Sequence, residues 1–336
     1  MAWKLCNRGL HVKLVDDGHR DSASTVAAGI INPITGQRLV KSWKLEKFLP
    51  VAKACYQELE ASLKTKFFYE HEILRLFKND YEIQQYQKRK SEEGYEYYIG
   101  DHFEPGTFGD VFQDIYGSFI IKRAAHLDTK IFLSILRDFF KKKGILDEQV
   151  FDYNDIIFND SMLSYNDIQA KKIIFCEGYK VIENPWFKDL NWTPAKGEIL
   201  TLKFKTSLPD KIVNCGKWLM PTADGLYKAG ANYDWDCKHF NNQSTDSGRA
   251  EIVNDLYNDV LIDSSQLEVR AQEAGVRPCT KDSRPYIGLN SGNNCLGIFN
   301  GLGSKGVLMA PYYAKQFVNF LETGTALDNE VSVSRG

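Results

Sequence analysis

Two arginines lie in the segment RPCTKDSRP, which covers residues 277–285. A guanidinium in a cleft can bind a carboxylate through two parallel hydrogen bonds, so both arginines are candidates for recognising an acidic ligand. The alternative is a surface ion pair, and we prefer it for Arg284 because Asp282 lies close to it in the sequence. The segment therefore offers Arg277 as its candidate anion-binding side chain.

A glycine-rich turn, NGLGSKG (300–306), follows a predicted strand and precedes a predicted helix. The turn contains a formal G-x-G-x-x-G, but a dinucleotide-binding fingerprint needs a second strand with an acid about 20 residues further on. Only 30 residues follow Gly306, and they offer no such strand and acid. The turn is better interpreted as a helix N-terminus directed at a negatively charged or acceptor-rich ligand.

Two features near the start of the chain suit a nucleotide ligand. Residues 10–15 predict a strand that ends at Asp16, and an acid at this place in a βαβ unit accepts hydrogen bonds from ribose hydroxyls. A simple strand-end turn explains Asp-Asp-Gly equally well. The loop 22–36 is rich in small residues, which let a backbone approach phosphate oxygens, although ordinary connecting loops share this composition.

The composition is that of a globular protein, with 336 residues, a net charge of −2 and 43% apolar residues. The lack of a basic excess argues against a broad nucleic-acid surface. No apolar run approaches the ~18 residues of a membrane span, and a signal peptide is not expected. The seven cysteines are scattered without a C-x-x-C pair, and the six histidines form no ligand pattern. We therefore expect a cytoplasmic location and no metal site.

Helical and strand patterns alternate along the chain. Helices are predicted over 44–64, 126–143, 247–262 and 307–321. Stretches rich in β-branched and aromatic residues predict strands, mainly at 67–77, 172–176, 197–204, 218–221, 226–231, 267–275 and 295–299. This order predicts a discontinuous nucleotide-binding domain with a strand-rich domain inserted into it.

Together these segments resemble the FAD-dependent oxidoreductases of the D-amino acid oxidase and glycine oxidase superfamily, over nearly the whole chain. Leu14-Val15-Asp16 is similar to the family's ribose-binding strand end, and residues 23–33 are similar to the loop that follows it. The most specific similarities are residues 277–288 and the turn 301–306.

The resemblance implies a mixed α/β fold, in which a Rossmann-like FAD-binding domain carries an inserted, antiparallel, strand-rich substrate domain. The expected FAD-binding domain comprises residues 1–64, 118–185 and 275–336, and the expected substrate domain comprises residues 65–117 and 186–274. Four aromatic residues of the strand-rich region are candidates to line a substrate pocket, although core or interface packing explains them at least as well. They are Trp218, Tyr227, Tyr233 and Trp235.

The same resemblance implies oxidation of the C–N bond of an amine or amino acid, by hydride transfer to N5 of noncovalently bound FAD. Arg277 would hold the substrate carboxylate, and Lys305 would favour negative charge at the N1–C2=O edge of the flavin. Oxygen or another electron acceptor would reoxidise the cofactor. The implied cofactor contacts are Asp16, Thr25, Ala28, Gly29, Ile30, Gly178, Gly301, Gly303, Ser304, Lys305, Gly306 and Val307.

The sequence departs from the family pattern at its start. The family's G-x-G-x-x-G turn precedes the acid by about 20 residues, whereas Asp16 is only the sixteenth residue. We expect a first strand and pyrophosphate-binding turn of roughly 13–25 residues to belong upstream of Ala2, with a start codon assigned too late as the simplest reason. Three alternatives to the function implied by the resemblance stay open. They are a cofactor-free chain without activity, a nicotinamide dehydrogenase, which would leave the turn 301–306 unexplained, and a relative of tRNA-modifying oxidoreductases.

Overall fold

The structure is a computed structural model that describes residues 1–19, 22–159, 161–205, 208–235, 240–261 and 267–335. Within these ranges, no helix has the length and apolar character needed to cross a bilayer. The described α-helices are α1 (Ala2–Asn7), α2 (Ala23–Val26), α3 (Leu45–Leu63), α4 (Asp80–Lys90), α5 (Thr129–Lys142), α6 (Asp246–Asp259) and α7 (Gly306–Thr323).

The two long helices α3 and α7 pack against each other in the largest core cluster. Phe48, Ala52, Tyr56 and Leu59 recur every three or four residues in α3 and are buried, so they form its packing face. The Tyr56 hydroxyl donates a hydrogen bond to the Val307 carbonyl oxygen at 2.8 Å. The first turn of α7 is therefore held in place by α3.

The described strands run from the N-terminal region to the C-terminal third of the chain. They are β1 (Leu14–Asp16), β2 (Ile30–Ile31), β3 (Ile34–Thr35), β4 (Val40–Lys41), β5 (Phe68–Leu76), β6 (Ile99–Phe103), β7 (Ser118–Leu127), β8 (Leu146–Glu148), β9 (Ile156–Asn159), β10 (Met162–Tyr165), β11 (Ile168–Ala170), β12 (Ile173–Phe175), β13 (Ala195–Phe204), β14 (Ile212–Cys215), β15 (Lys217–Pro221), β16 (Tyr227–Gly230), β17 (Leu267–Arg277), β18 (Tyr286–Leu289) and β19 (Leu296–Asn300).

One large sheet brings together strands from most of the chain. Its order is β17-β13-β16-β15-β14-β5-β7-β2, and β6 also pairs with β7. Most of these pairs are antiparallel, whereas β14 and β5 run parallel. The short strand β2 pairs with β7, so the small-residue loop near the N-terminus is anchored to this sheet.

The strands expected of a nucleotide-binding unit form two smaller sheets. β1 pairs with β8, and β12 pairs with β19, in each case in parallel. β18 adds to β19 in antiparallel orientation. Within the described ranges no strand pairs with both β1 and β12, so the two sheets are not joined by hydrogen bonds there.

Element boundaries differ from the sequence-based expectations in several places. α5 begins at Thr129 because β7 runs to Leu127 and the Asp128 side chain caps the helix, accepting a hydrogen bond from the Ile131 amide at 3.0 Å. The loop 22–36 contains α2, β2 and β3, and β14 was not predicted. The last residue of the helix predicted over 247–262 lies outside the described residues.

The proposed domain division cuts across the large sheet. It assigns β7 and β2 to the FAD-binding domain, yet both strands belong to the same sheet as β5 and β6. The division therefore stays a prediction, and this sheet connects its two parts.

Candidate functional site

A cavity of about 220 Å³ lies where the large sheet meets the first turn of α7. Three parts of the chain meet there: the segment around β2, the strands β5, β14 and β15, and the glycine turn before α7. Among the described residues that line the cavity, Lys305 is the only charged one. These are Ile30, Ile31, Asn32, Thr35, Ser42, Ile73, Ile212, Asn214, Trp218, Tyr233, Ser304, Lys305, Val307 and Leu308.

The glycine turn before α7 positions the positive end of a helix at this cavity. Gly301 and Gly303 have φ angles of 83° and 53°, in the left-handed region that favours glycine. α7 begins at Gly306 with no side-chain cap, so its first N–H groups have no side-chain partner within the described part of the chain. Burial, together with the charge of Arg284, lowers the pKa of Lys305. An anionic ligand here would meet both a helix dipole and an ammonium group.

The small-residue loop reaches the cavity by a close backbone approach. Gly29 has a φ of +69°, and a Cβ placed on it would lie 1.9 Å from the Leu127 carbonyl oxygen. Only glycine fits both restrictions. Gly29 therefore brings Ala28 and Ile30 into place, and Ile30 lines the cavity itself.

Strand register gathers four cavity-lining side chains of the sheet. Ile73 on β5 lies beside Ile212 on β14, and Asn214 on β14 lies beside Trp218 on β15. Asn214 is the polar member of the set, and its Oδ1 accepts a hydrogen bond from Nη1 of Arg75. The sheet thus presents an apolar wall with one amide in it.

Arg277 lies next to the cavity without lining it. Its Nη1 donates to the carbonyl oxygens of Lys196 and Asn232 at 3.4 and 3.2 Å, and its guanidinium lies 4.1 Å from the ring centre of Tyr233, which does line the cavity. A Cβ on Gly197 would lie 2.1 Å from the guanidinium nitrogens, so glycine makes room for this side chain. Within the described residues, Arg277 has no carboxylate partner.

The ion pair expected between Arg284 and Asp282 is wrong. Asp282 pairs instead with Arg335, whose Nε lies 3.2 Å from Oδ2. The Arg284 guanidinium lies 3.8 Å from the ring centre of Trp43, where it is stabilised by the ring's π electrons. The partner of Asp282 is therefore Arg335, which is distant in sequence, and not Arg284, which local spacing had suggested.

Asp16 occupies the strand end that the sequence predicted, but it already has partners. Its carboxylate accepts hydrogen bonds from Nη1 of Arg137 and, at 3.0 Å, from the Gly18 amide, and His19 Nε2 lies 3.4 Å away. The neighbouring Asp17 lies 3.3 Å from Lys180, in the turn that begins at residue 178. This contact brings the ends of β1 and β12 close together.

The remaining expected cofactor contacts lie either at the cavity or near the ends of β1 and β12. The Thr25 hydroxyl donates to the Ser22 carbonyl oxygen at 2.8 Å, and the Gly178 carbonyl oxygen accepts a hydrogen bond from Asn300 at 2.8 Å. Neither residue lines the cavity. The expected contacts that do line it are Ile30, Ser304, Lys305 and Val307.

Two of the four aromatic candidates line the cavity and two do not, and the sequence did not reveal several other lining residues. Trp218 and Tyr233 line the cavity, whereas Tyr227 packs against Phe204 and Trp235 stacks on Tyr233 at 5.6 Å between ring centres. A polar residue in the otherwise apolar strand β14 was the available signal for one missed residue. The missed residues are Ile31, Asn32, Thr35, Ser42, Ile73, Ile212, Asn214 and Leu308.

Metal-binding and disulfide chemistry receive no support from the described part of the chain. There, no three His, Cys, Asp or Glu side chains are arranged to hold a metal ion. The described cysteines are all free thiols, and Cys237 lies outside the described residues.

Comparison with known proteins agrees with the resemblance seen in the sequence. The family described as FAD dependent oxidoreductase (DAO) matches residues 1–319. Glycine oxidase of Bacillus subtilis (strain 168) is 24% identical over 223 residues, which cover 62% of this chain and 56% of that protein. A tRNA 5-methylaminomethyl-2-thiouridine biosynthesis bifunctional protein of Marinobacter nauticus is 27% identical over 188 residues, covering 49% of this chain and 29% of that protein.

The chain thus spans about half the length, or less, of the curated relatives it matches. Among solved structures, glycine oxidase from Geobacillus kaustophilus superimposes with a TM-score of 0.81 at 20% identity, covering 99% of this chain and 94% of that chain. This similarity confirms the expected mixed α/β fold.

Proposed function

Because the chain belongs to the family of FAD-dependent oxidoreductases, we propose that it oxidises the carbon–nitrogen bond of a small amine or amino acid. The observation that carries this proposal is the cavity beside the uncapped start of α7, where Lys305 is the only charged side chain among the described lining residues. A cavity of apolar walls and a few directed polar groups is typical of a small-molecule site.

The described residues fit the flavin end of FAD. Gly29 lacks space for a Cβ, so only backbone approaches there, and Ile30 and Val307 provide apolar surface. We propose that noncovalent FAD is held by Ala28, Gly29, Ile30, Gly301, Gly303, Ser304, Lys305, Gly306 and Val307, with Asp16, Thr25 and Gly178 toward its nucleotide end. When bound, FAD would supply an acceptor for one hydride, that is, for two electrons and a proton.

Lys305 and the start of α7 have the charge that this chemistry needs. Negative charge that develops on a ligand is stabilised by a buried ammonium and by the positive end of a helix dipole. Burial and the charge of Arg284 lower the pKa of Lys305, and among the described residues no carboxylate pairs with its ammonium. We propose that it stabilises charge on the bound ring.

Arg277 is the proposed partner of the substrate carboxylate. Its Nη2 has no hydrogen-bond partner within the described residues, and its guanidinium stacks on the cavity-lining Tyr233. A guanidinium without a carboxylate partner, at the edge of a cavity, suits an anionic substrate group. The carboxylate fixes the substrate's orientation, and orientation of the reacting C–H bond is the main contribution expected from the protein.

The test is a panel of amines and amino acids mixed anaerobically with the purified FAD-loaded protein, with bleaching of the flavin absorbance as the readout. In Arg277→Met, kcat/KM for carboxylate substrates should fall about 100-fold, because a charged hydrogen bond is lost. The FAD content should be unchanged. Arg270→Met is the matched control, since Arg270 lies on the same strand β17 and pairs with Glu268 at 2.9 Å. Equal kcat/KM in the wild type and Arg277→Met would remove Arg277 from the site.

A second candidate function is oxidation of an amine carried on tRNA. It is favoured by the 27% identity to the tRNA-modifying bifunctional protein. The net charge of −2 counts against it, because tRNA binding needs a basic surface. Titration of labelled tRNA decides between the two: we expect no saturable binding at physiological salt, and tight salt-dependent binding would favour this second function.

The remaining parts of the proposal concern the electron acceptor and the location. We propose that oxygen or another small acceptor reoxidises the flavin, and that the chain works in the cytoplasm. The free thiols of the described residues fit a reducing compartment. Stopped-flow mixing of the reduced protein with oxygen would identify an oxidase by rapid return of the flavin absorbance.

A further inference from the structure

A buried ion pair fixes the one polar side chain of the sheet wall. Arg75 is 6% exposed, and its Nη2 lies 2.6 Å from Oε1 of the fully buried Glu82. Its Nη1 donates to Oδ1 of Asn214. A guanidinium has donors only, so the amide of Asn214 must turn its oxygen toward Arg75 and its nitrogen away from it.

The amide nitrogen of Asn214 is left for the cavity. The side chain lines the cavity, and within the described residues its Nδ2 has no hydrogen-bond partner. This nitrogen is not buried, so it is accessible to a ligand. Hydrogen bonds in a chain polarise one another, so donation from the guanidinium to the oxygen strengthens the N–H groups as donors.

The surroundings make this donor selective. Ile73, Ile212 and Trp218 are its neighbours on the cavity wall, so Asn214 is the single polar lining residue on β5, β14 and β15. A bound ligand without an acceptor atom opposite Asn214 would exclude water from Nδ2 and leave this donor without a hydrogen bond. Sites of this kind discriminate strongly against such ligands.

We propose that Asn214 determines substrate specificity by donating a hydrogen bond from Nδ2 to an acceptor oxygen of the substrate, and that Arg75 is its positioning residue. The inference rests on the proposed function and names its substrate class: amino acids or amines that carry a second carboxylate or carbonyl group. Arg277 lies on β17, at the other end of the strand series β17-β13-β16-β15-β14. The Arg277 side chain extends from β17 to the Asn232 carbonyl oxygen, just beyond β16, so Arg277 and Asn214 come from different strands and serve different substrate groups.

The test uses two ethers that an amine oxidoreductase does not oxidise at a C–N bond. Diglycolate has a carboxylate at each end, and methoxyacetate lacks one of them. Calorimetric titration of the FAD-loaded protein should give a Kd for diglycolate about tenfold lower than for methoxyacetate, as expected for one hydrogen bond to a charged group. Absence of this preference in the wild type would overturn the proposal.

Asn214→Asp is the decisive variant, because it keeps an oxygen for Arg75 and replaces the donor by a negatively charged acceptor. It should abolish the preference for diglycolate over methoxyacetate, because the new carboxylate repels the second carboxylate of diglycolate, while the FAD content stays unchanged. Asn154→Asp makes the same change at an exposed position and is the matched control. A preference that survives in Asn214→Asp would overturn the proposal.

Arg75→Lys tests the positioning role, since lysine keeps the charge beside Glu82 but loses the planar fork. It should reduce the preference for diglycolate and leave the binding of methoxyacetate intact. If this variant does not fold, Arg75→Gln combined with Glu82→Gln removes both buried charges together and should have the same effect. Unchanged preference in a folded variant would contradict the role of Arg75.

The two proposals fail separately. If no amine bleaches the flavin but diglycolate binding depends on Asn214, the proposed activity is wrong and the specificity role stands. If amines are oxidised and Asn214→Asp keeps the wild-type preference for substrates with a second acceptor group, the specificity role is wrong and the proposed activity stands.

Discussion

Lys305 is a half-buried cation whose neighbour Arg284 repels it, since both partial burial and this charge lower its pKa. An opposite charge bound nearby would favour the protonated form again. The protonation of this lysine and the negative charge of a ligand at the start of α7 are therefore linked.

Lys305→Met is expected to lower the midpoint potential of the bound flavin by about 30 mV, because about 1.4 kcal/mol of stabilisation of the reduced anion is lost. Equilibration with a reference dye measures the potential. Lys315→Met is the control, since Lys315 lies on the same helix at an exposed position. Equal potentials in the two variants would show that Lys305 does not face the ring.

His126 provides a pH-dependent contribution to stability. Burial, followed by the neighbouring His71, lowers the pKa of His126 from 6.5 to about 4. As the pH falls between these values, the unfolded chain takes up a proton that the folded chain does not. The free energy of unfolding should therefore decrease with falling pH by up to about 1.4 kcal/mol per pH unit.

His126→Asn should flatten this slope between pH 6.5 and 4, as measured by urea unfolding across the pH series. His11→Asn is the control, because His11 is exposed. Parallel curves for the wild type and His126→Asn would show that this histidine titrates normally in the folded chain.

At the scale of elements, two glycines of one loop allow the cost of a left-handed backbone to be distinguished from the cost of a steric clash. Gly29 and Gly36 have φ angles of +69° and +70°, but a Cβ would meet the Leu127 carbonyl oxygen only at Gly29, since nothing lies within 4 Å at Gly36. Gly36→Ala should cost about 1 kcal/mol from the left-handed backbone alone.

Gly29→Ala should cost clearly more than Gly36→Ala and should also reduce the FAD content, because β2 must move away from β7. Urea unfolding and the ratio of flavin to protein absorbance measure the two effects. Equal losses of stability in the two variants, with full FAD content in both, would contradict the close approach at Gly29.

The same scale shows what the sequence could predict. α3 and α7 were predictable because their apolar residues repeat at helical spacing, and the glycine turn marked the start of α7. β14 escaped prediction because it is only four residues long and its partners lie elsewhere in the chain. Arg284 was assigned the wrong partner because local spacing cannot reveal that Arg335 reaches Asp282.

At the scale of the whole molecule, the site depends on contacts between distant segments. Arg75 and Asn214 are 139 residues apart in sequence and meet only when β5 pairs with β14. The motifs around residues 16, 29 and 301–306 were visible from composition and spacing. The sheet wall was not, because its side chains are gathered by strand register rather than by any local pattern.

Binding of FAD should stabilise the whole chain, since its proposed contacts join the β2 loop to the start of α7. A ligand at 100 times its Kd adds about 2.7 kcal/mol. Thermal unfolding of flavin-depleted protein should therefore show a Tm that rises with added FAD and does not rise with added NAD. A Tm unaffected by FAD would favour the cofactor-free alternative.

The strand β2 has a further consequence. Ile30 and Ile31 line the cavity and also pair with His126 and Ala125 of β7. The same two residues therefore belong both to the ligand site and to the edge of the sheet. Their amide hydrogens should exchange with deuterium more slowly when the cavity is filled, so mass spectrometry of a peptide spanning residues 30–31 can follow occupancy of the site without any chromophore.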